Sequence, residues 1–544
     1  MKKLFYIALI CFVILGCKTT SVEDNSMDEP LFLFDDEMNP EYESRTQALN
    51  TIFNPDELGK IVLVFDRSEW NKQLEYCDIN IDHEENVVAK GFYFQKDNKE
   101  WFFKDIGFRI RGNTSRVRPQ IRIKNGESHI NGDYVQAHFA LDFEEWITEE
   151  EEEAGIEKKL AGSMKGFILK RFKDDPTYCR EVYGYNLFRQ NGVWIAPRAS
   201  YTRLIIQIVD DIDLDQDQNF SEYETVDYGV YAMIEEIKKQ FLKERSEELT
   251  ENGGGELSNN KGNLWKCTWQ SWGADMVFEN PGTIGEEYNE PVYDSEGNIK
   301  DFEIRNYDYD YKGDNEFNEA KNQLYNFMIA LNNLPNCTDG KNDEADIETI
   351  KAFYTERMDG DLFLKTIATN VILGMWDDYW GNKNNFYFYF DKKTEKAYFI
   401  PYDYDNILGV GIVLNRRMFN GATQNPLKWN VNEKDRRPLI QKILQVPEYM
   451  ETYQKYLLEF SNEESAFYVE NSQERIRNWQ KMIEPYIKSD KIDYEASSTY
   501  DEFDDFPATW GATPIYRLLS GNENKNFFMA KSASIKRAIE SYNK

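Results

Sequence analysis

The chain has 544 residues, of which 41% are hydrophobic and 15% aromatic, so it can bury a large core and is too apolar for a disordered protein. Its formal charge of −33 excludes broad, sequence-independent binding to nucleic acid, and any anionic substrate needs a local basic site. With only three histidines, the chain has little material for a histidine-based zinc site or a histidine-dependent triad.

The first 17 residues predict an export signal with a lipid attachment point. Two lysines precede an apolar run that ends in Leu15-Gly16-Cys17, which is typical of a secretory signal peptide. The ending resembles a bacterial lipoprotein box, in which Cys17 becomes the lipidated first residue. We therefore expect a membrane-anchored lipoprotein on the periplasmic or cell-surface side, with residues 18–57 as an acidic, flexible tether. An uncleaved membrane anchor is the alternative, which the short apolar run disfavours.

The next part of the chain predicts mainly strands. The stretch "KIVLVFD" from Lys60 gives the first strand, and Asp97-Asn98 marks the turn of a hairpin. "REVYGYNLFRQNG" is amphipathic and predicts a helix. "SYTRLIIQIV" and "YGVYAMIEEI" predict two strands of a second hairpin. Acidic insertions are expected near residues 144–159 and 210–224.

The later part predicts a change to helices. "ERSEELTENGGGELSNNKG" is expected to be a flexible link, and the segment from Ile347 to Met375 is expected to be mainly helical. "NNFYFYFDKKTEKAYFIPYDYD" returns to strands, and helices follow from about Pro438. A β-rich first part followed by a helical part indicates the α+β class.

The second insertion raises the question of a calcium site. Its acids alternate and end in a glutamate at the twelfth position, as in an EF-hand loop, and they are Asp211, Asp213, Asp215, Asp217 and Glu222. Gln216 stands where the sharp turn of such a loop needs glycine. Bound Ca²⁺ and a solvated acidic loop therefore both stay open.

Two acidic pairs could hold a different metal. Asp403 and Asp405 lie two residues apart, so on a strand they would point to the same face. Adjacent carboxylates repel unless a cation intervenes, and Mg²⁺ suits such a pair. Asp377 and Asp378 stand between tryptophans on the other side of a predicted hairpin, which brings the two pairs together. An aspartate, then an asparagine such as Asn385, then a metal-binding aspartate is the layout of a kinase catalytic loop and its metal loop.

This region resembles the signature of the CotH kinase family, named for a spore coat protein. The family shows a Trp-Asp, an Asn before an aromatic strand and a "P-[WY]-D-x-D" ending, all present in "MWDDYWGNKNNFYFYFDKKTEKAYFIPYDYD". Other stretches match in family order: "IGFRIRGNTSR", "DDPTYCREVYGYNLFRQNG", "YGVYAMIEEI", "GNLWKCTW" and "RPLIQKILQVPEYM". The resemblance covers roughly residues 58–460, and we expect residues 461–544 to be a helical extension packed on that domain.

The resemblance implies an atypical protein-kinase-like fold that uses ATP and Mg²⁺, with Mn²⁺ as a substitute. Asp377 would orient the acceptor hydroxyl, with Asp378 as its rival. Asn385, Asp403 and Asp405 would bind the metal, although Asn382 and Asn384 compete with Asn385. Glu235 and Lys266 would form an ion pair or contact phosphates. These last two assignments follow from analogy with the kinase Lys–Glu pair.

A basic cluster could gather phosphate in this acidic protein. "RIRGNTSRVRPQIRIK" carries several arginines, and Arg111 and Arg116 flank its Gly-Asn turn. Pairing with nearby carboxylates is the alternative role for each arginine.

Two functions remain open. The first is transfer of the ATP γ-phosphoryl group to a protein hydroxyl, with a nucleotide and an unknown protein as partners and no nucleic acid. The second is a catalytically silent surface lipoprotein of the same fold that binds glycan, protein or Ca²⁺. Export favours the second function because ATP is scarce outside the cytoplasm, whereas the retained Asp and Asn residues favour the first.

Overall fold

Seven strands of the computed structural model close into a barrel in the order β1-β2-β3-β4-β5-β7-β6. Their bounds are Leu58–Asp66 (β1), Val87–Lys96 (β2), Lys99–Arg111 (β3), His138–Asp142 (β4), Gly166–Lys170 (β5), Ala199–Val209 (β6) and Tyr223–Glu235 (β7). β1 and β6 pair in parallel to close the barrel, and the other neighbours are antiparallel. Both predicted hairpins are confirmed. Asp97 and Asn98 have the positive φ angles of a tight hairpin turn.

The structure describes residues 30–34, 36–122, 132–148, 153, 158–160, 164–210, 223–251, 257–258, 261–286, 288–337, 343–414, 417–429, 436–510 and 515–544. The predicted signal peptide, the first part of the tether and the candidate Ca²⁺ loop (211–222) lie outside these residues. Within them, no helix has the length and apolar character needed to cross a membrane. The four cysteines among these residues, Cys77, Cys179, Cys267 and Cys337, are free thiols.

A five-stranded sheet in the order β14-β13-β8-β12-β9 faces the barrel across a cleft. Its strands are Asn263–Cys267 (β8), Ile284–Glu286 (β9), Tyr309–Tyr311 (β12), Phe386–Phe390 (β13) and Ala397–Pro401 (β14). β13 is apolar and aromatic throughout and is buried on both faces. Two smaller sheets comprise Tyr288–Tyr293 (β10) with Ile299–Arg305 (β11), and Gly411–Leu414 (β15) with Arg417–Phe419 (β16) and Thr509–Trp510 (β17).

Nine of the 13 α-helices in the described residues lie in the second half of the chain. Their bounds are Arg45–Ile52 (α1), Arg67–Ile79 (α2), Arg180–Gln190 (α3), Lys239–Glu251 (α4), Phe317–Asn332 (α5), Glu344–Glu356 (α6), Gly360–Leu373 (α7), Tyr379–Asn382 (α8), Pro438–Ile443 (α9), Pro447–Glu459 (α10), Val469–Ile483 (α11), Tyr494–Ser497 (α12) and Phe527–Tyr542 (α13), with a 3₁₀ turn at Glu484–Tyr486. The predicted helices at α3, α6 and α7 are confirmed. The fold is therefore mixed α+β, β-rich first and helical later, as the sequence predicts.

The predicted flexible link is wrong in its first half, because α4 covers it as far as Glu251. Arg245 on α4 is fully buried and forms an ion pair with Glu235, at the end of β7. Glu248, one turn later, pairs with Arg198. By composition alone this charged segment resembles a solvent-exposed one. Its buried ion pairs instead hold it in place in the fold.

The described residues form two large hydrophobic cores and a small third one around Phe32 and Phe102. One fills the barrel interior, and the larger one joins α3, the five-stranded sheet and the C-terminal helices, including Trp479 of α11 and Ile535 of α13. The larger core also includes barrel residues such as Ile168, Tyr201 and Ala232, so the outer face of the barrel packs against it.

Candidate functional site

A cleft of about 1030 Å³ lies between the barrel and the five-stranded sheet. Ten basic and nine acidic residues line it, whereas the whole chain has 64 basic and 97 acidic residues. The cleft is therefore close to neutral in a strongly acidic protein. That balance answers the charge problem that the sequence raises for an anionic substrate.

Four charged side chains converge on one wall of the cleft. Lys170, the last residue of β5, places its Nζ 2.7 Å from Glu181 Oε2 and 3.6 Å from Asp405 Oδ2, and it also contacts Asp403 Oδ1. Carboxylate oxygens of Glu181, Asp403 and Asp405 lie within 4.8 Å of one another. One lysine thus sits among three carboxylates that come from α3 and from the loop after β14.

The charges of this cluster shift its proton affinities. Burial alone would lower the pKa of Lys170, but the carboxylates of Asp403, Glu181 and Asp405 raise it well above its usual value. Burial raises the pKa of Asp405 well above its usual value, and the charges of Asp403 and Glu181 add to the rise. Burial would also raise the pKa of Asp403, but Lys170 lowers it below the usual value. If all three carboxylates are ionised, they carry more negative charge than one lysine can neutralise.

Local structure explains how the acidic residues meet. The expectation that Asp403 and Asp405 lie on a strand is wrong, because β14 ends at Pro401 and Asp403 has a φ of +61°. Tyr404 between them is buried, and its hydroxyl donates to Asn370 Oδ1 at 2.9 Å. This anchor fixes the turn, so that both carboxylates reach the cleft although no strand aligns them.

Glu181 owes its position to the start of α3. Asp175 accepts hydrogen bonds from the backbone N–H groups of Thr177, Cys179 and Arg180. It also pairs with the Arg180 guanidinium, whose Nε donates to the carbonyl oxygen of Ile407 at 2.9 Å. The first turn of α3 is therefore tied both to Asp175 and to the loop that carries Asp403 and Asp405.

Asp377 faces the cleft in a cage of amides. Its carboxylate accepts hydrogen bonds from the Nδ2 atoms of Asn382 (2.6 Å), Asn384 (3.1 Å) and Asn385 (3.1 Å). Burial raises the pKa of Asp377, these amides oppose the rise, and the charge of Asp403 adds to it. Asn385 also lines the cleft, and its positive φ of 56° turns the chain into β13. All three asparagines that compete for the metal role thus touch Asp377.

Asp378 has a different environment. It is 6% exposed and caps α8, accepting from Gly381 N at 2.7 Å and from Asn370 Nδ2 at 2.6 Å. Burial raises its pKa to about 6. Asp378 does not border the cleft, so of the two adjacent aspartates only Asp377 is placed to meet a substrate.

The expected pairing of Glu235 with Lys266 is not made in the described residues. Glu235 is 2% exposed and pairs with Arg198 and Arg245. These two arginines lower its pKa to about 2 against the effect of burial. Lys266, on β8, lines the cleft opposite Tyr387 of β13. Lys266 thus remains a candidate for phosphate contact, and Glu235 has a structural role.

The two arginines predicted to gather phosphate both border the cleft. Arg111 donates from Nη2 to the Tyr402 hydroxyl at 2.9 Å, and its Nη1 is 3.9 Å from Glu236. Arg116 pairs with Glu84 at 2.7 Å and donates to the His83 carbonyl oxygen at 2.5 Å. Arg116 is therefore committed to neighbouring groups, whereas among the described residues Arg111 forms a hydrogen bond to one hydroxyl alone.

Sequence reasoning missed Lys170 and Glu181 as site residues. Lys170 is the final residue of an otherwise apolar strand, "GFILK", and Glu181 opens the helix in "REVYGYNLFRQ". A lysine at the end of a buried strand and an acid at a helix start are weak signals on their own. Their pairing depends on the end of β5 meeting the first turn of α3, which a sequence does not show.

The donor set fits a divalent cation of the Mg²⁺ type. Glu181, Asp403 and Asp405 offer hard carboxylate oxygens close enough to share one ion. Asn385, predicted as a further ligand, lies against Asp377 on the same cleft.

Comparison with known proteins agrees with the motifs quoted above. No curated protein matches the chain. A family model described as CotH kinase protein matches residues 108–508, from within β3 to Ala508, which is the last cleft residue in sequence order. Because this match covers well over half of the sequence, the chain belongs to the CotH kinase protein family.

Proposed function

We propose that the chain is a Mg²⁺-dependent, kinase-like phosphotransferase that moves the γ-phosphoryl group of ATP to a protein hydroxyl. The observation that carries this proposal is the Lys170–Glu181 ion pair beside Asp403 and Asp405, in the same cleft as Asp377. A lysine paired with a helix glutamate, a metal-binding aspartate and an acceptor-orienting aspartate are the parts that kinases use. Family membership points the same way.

Each residue has a task in this proposal. Lys170 contacts phosphate oxygens, and Glu181 orients it. Asp403, Asp405 and Glu181 are the groups that would hold Mg²⁺, which would neutralise phosphate charge when bound. Asn385 remains a proposed ligand of the ion. Arg111 and Lys266 add positive charge along the cleft.

Asp377 receives the acceptor proton. The acceptor oxygen bonds to the γ-phosphorus, and the bond from that phosphorus to the β,γ-bridging oxygen breaks. ADP leaves with the electron pair, and the hydroxyl proton passes to the Asp377 carboxylate. The raised pKa of Asp377 makes it a better proton acceptor than an ordinary aspartate.

The test is transfer of label from γ-labelled ATP with Mg²⁺ or Mn²⁺ by the full chain in detergent. We expect Asp405→Asn and Asp377→Asn to lower transfer by about 100-fold or more, since each removes a group that acts on the reacting atoms. Asp314→Asn is the matched control, because Asp314 also borders the cleft but pairs with Lys239. No label from the folded wild type, together with no nucleotide-dependent rise in Tm, would refute the proposal and favour the catalytically silent binding protein.

We also propose that Cys17 carries a lipid that holds the protein on the outer side of a membrane. The apolar run ending in Leu15-Gly16-Cys17 supports this. Cells fed a labelled fatty acid should label the wild type, and Cys17→Ala should abolish the label. Equal labelling of both proteins would exclude this anchor.

A further inference from the structure

Two exposed indole rings stand beside the loop that carries Asp377. Trp269 is 50% exposed and Trp272 is 61% exposed, whereas Trp265, on the same segment, is fully buried. Trp269 also borders the cleft. Tryptophan is enriched at contacts with other proteins, where it contributes much of the binding energy. We call the segment from Trp269 to Gly273 the tryptophan loop.

The tryptophan loop is held rigidly from below. Asp308 is fully buried, and its carboxylate accepts hydrogen bonds from four consecutive backbone N–H groups of Gln270, Ser271, Trp272 and Gly273, at 2.7 to 3.2 Å. These bonds keep the pKa of Asp308 below its usual value although burial opposes them. A loop that is already ordered loses little conformational entropy when it binds a partner.

The loop is also joined to the loop of Asp377. Asn384 accepts a hydrogen bond from Trp269 N at 2.9 Å and donates one to Asp377 Oδ1 at 3.1 Å. Ala274 N donates to the Lys383 carbonyl oxygen at 3.0 Å. Two hydrogen bonds and the Asn384 amide group connect the backbone of Trp269 to the Asp377 carboxylate. The two groups therefore lie within about 8 Å of each other.

Two amide side chains of the cleft lining belong to the tryptophan loop or lie near its anchor in sequence, since Gln270 is in the loop and Asn306 is two residues before Asp308. Gln270 and Asn306 border the cleft, and neither side chain forms a hydrogen bond to any other described residue. Each amide presents both a donor and an acceptor, the same pair that a peptide group presents. Indole faces with amides beside them suit an extended peptide that carries an apolar side chain.

We propose that the acceptor is a peptide segment with a large apolar or aromatic residue about two or three positions from the phosphorylated serine or threonine, given that an extended chain advances about 3.4 Å per residue. Trp269 and Trp272 bind that residue, and Gln270 and Asn306 bind the peptide backbone. This inference rests on the proposed phosphotransfer and names its acceptor more closely.

The test uses a positional peptide library with a central serine or threonine, γ-labelled ATP and the full chain in detergent. We expect about a tenfold preference for leucine, phenylalanine or tryptophan over glycine, aspartate or lysine at one position two or three residues from the acceptor. For the best peptide, Trp269→Ala and Trp272→Ala should each raise KM about tenfold and change kcat much less. Trp146→Ala is the matched control, because Trp146 is 37% exposed and does not border the cleft.

The outcomes separate the two proposals. Peptide labelling without an apolar preference, or with a preference that both tryptophan variants keep, overturns the inference and leaves phosphotransfer standing. Labelling of an added oligosaccharide panel with no peptide labelled also overturns it, because the acceptor is then a sugar hydroxyl. The absence of all transfer and of any nucleotide-dependent rise in Tm refutes the phosphotransfer proposal itself, and the inference with it.

Discussion

Among single residues, Lys170 is the one on which the charge balance of the cleft depends. It is the only cation that the described residues place in contact with all of Glu181, Asp403 and Asp405. Without it, three carboxylates repel one another in a partly buried site. We expect Lys170→Met to lower the free energy of unfolding by about 2 kcal/mol, a value reduced from that of fully buried pairs because Asp403 and Asp405 are partly exposed.

Urea unfolding without divalent ions measures this effect. Added Mg²⁺ should recover part of the lost stability, because the ion neutralises the same oxygens. Lys266→Met is the matched control, since Lys266 borders the cleft on the opposite wall. Equal stability of Lys170→Met and Lys266→Met, with and without Mg²⁺, would contradict the role given to Lys170.

His83 makes stability depend on pH. It is fully buried, and burial together with the positive charges of Arg116 and Arg109 lowers its pKa from 6.5 to about 3. The unfolded chain therefore takes up a proton below pH 6.5 that the folded chain does not. The neutral His83 ring therefore contributes its full share to the free energy of unfolding above pH 6.5. This contribution is lost as the pH falls from 6.5 towards 3. Between pH 7 and 5 this loss amounts to about 2 kcal/mol.

Urea unfolding at pH 7 and pH 5 checks this expectation. His83→Gln should lose about 2 kcal/mol less than the wild type over that interval, because glutamine does not titrate. Comparing the two proteins over the same interval cancels the opposite contribution of Asp378, whose raised pKa favours the folded state at lower pH. A variant with the same pH dependence as the wild type would show that His83 is protonated in the fold.

For single residues, the sequence predicts part of the candidate site. Asp377, Asp403 and Asp405 stand in a spaced motif, and the structure places all three on one cleft. Glu235 was misassigned because its partners, Arg198 and Arg245, come from distant parts of the chain. Sequence spacing identifies residues within one loop or hairpin, whereas pairing between elements needs their packing.

At the scale of elements, α3 matters most because it carries Glu181. Asp175 is 4% exposed and holds the first turn of α3 through three backbone N–H groups and Arg180. Asp175→Asn should lower the free energy of unfolding by about 1 to 2 kcal/mol and weaken the Mg²⁺-dependent rise in Tm, because Glu181 is the second residue of the helix.

A second helix cap provides the control. Asp343 caps α6 from an exposed position, with its carboxylate accepting from Ala345 N. Asp343→Asn should cost some stability and leave the response to Mg²⁺ intact. If both variants keep the full Mg²⁺ response, the start of α3 does not position the metal ligands.

Elements differ in how well the sequence predicts them. The hairpin at Asp97-Asn98 and the strands β6 and β7 follow from alternation and turn residues. The sequence does not predict α4, because its charged residues have the composition of a solvated segment although several form buried ion pairs. The sequence predicts a strand at Asp403, whereas the left-handed backbone there comes from the packing of Tyr404 and not from a glycine or a proline.

At the scale of the whole molecule, added salt should have two opposite effects. It should stabilise the fold and weaken the binding of ATP. The charge of −33 destabilises the compact state through self-repulsion, which salt screens. We expect Tm to rise by a few degrees between about 20 and 300 mM NaCl, while the KM for ATP rises because the basic residues of the cleft are screened as well. Sorbitol at matched osmolality is the control, and a Tm that falls with NaCl would contradict the first expectation.

The pairing of β6 with β7 has a practical consequence. Val209 and Tyr223 face each other as the last paired residues of the two strands, with residues 211–222 between them. β7 then runs 13 residues to Glu235, near the cleft, so this end of the hairpin is about 40 Å from the cleft along the strand. An affinity tag or fluorophore inserted between Val209 and Tyr223 would report on the protein or immobilise it from the side remote from the reacting groups.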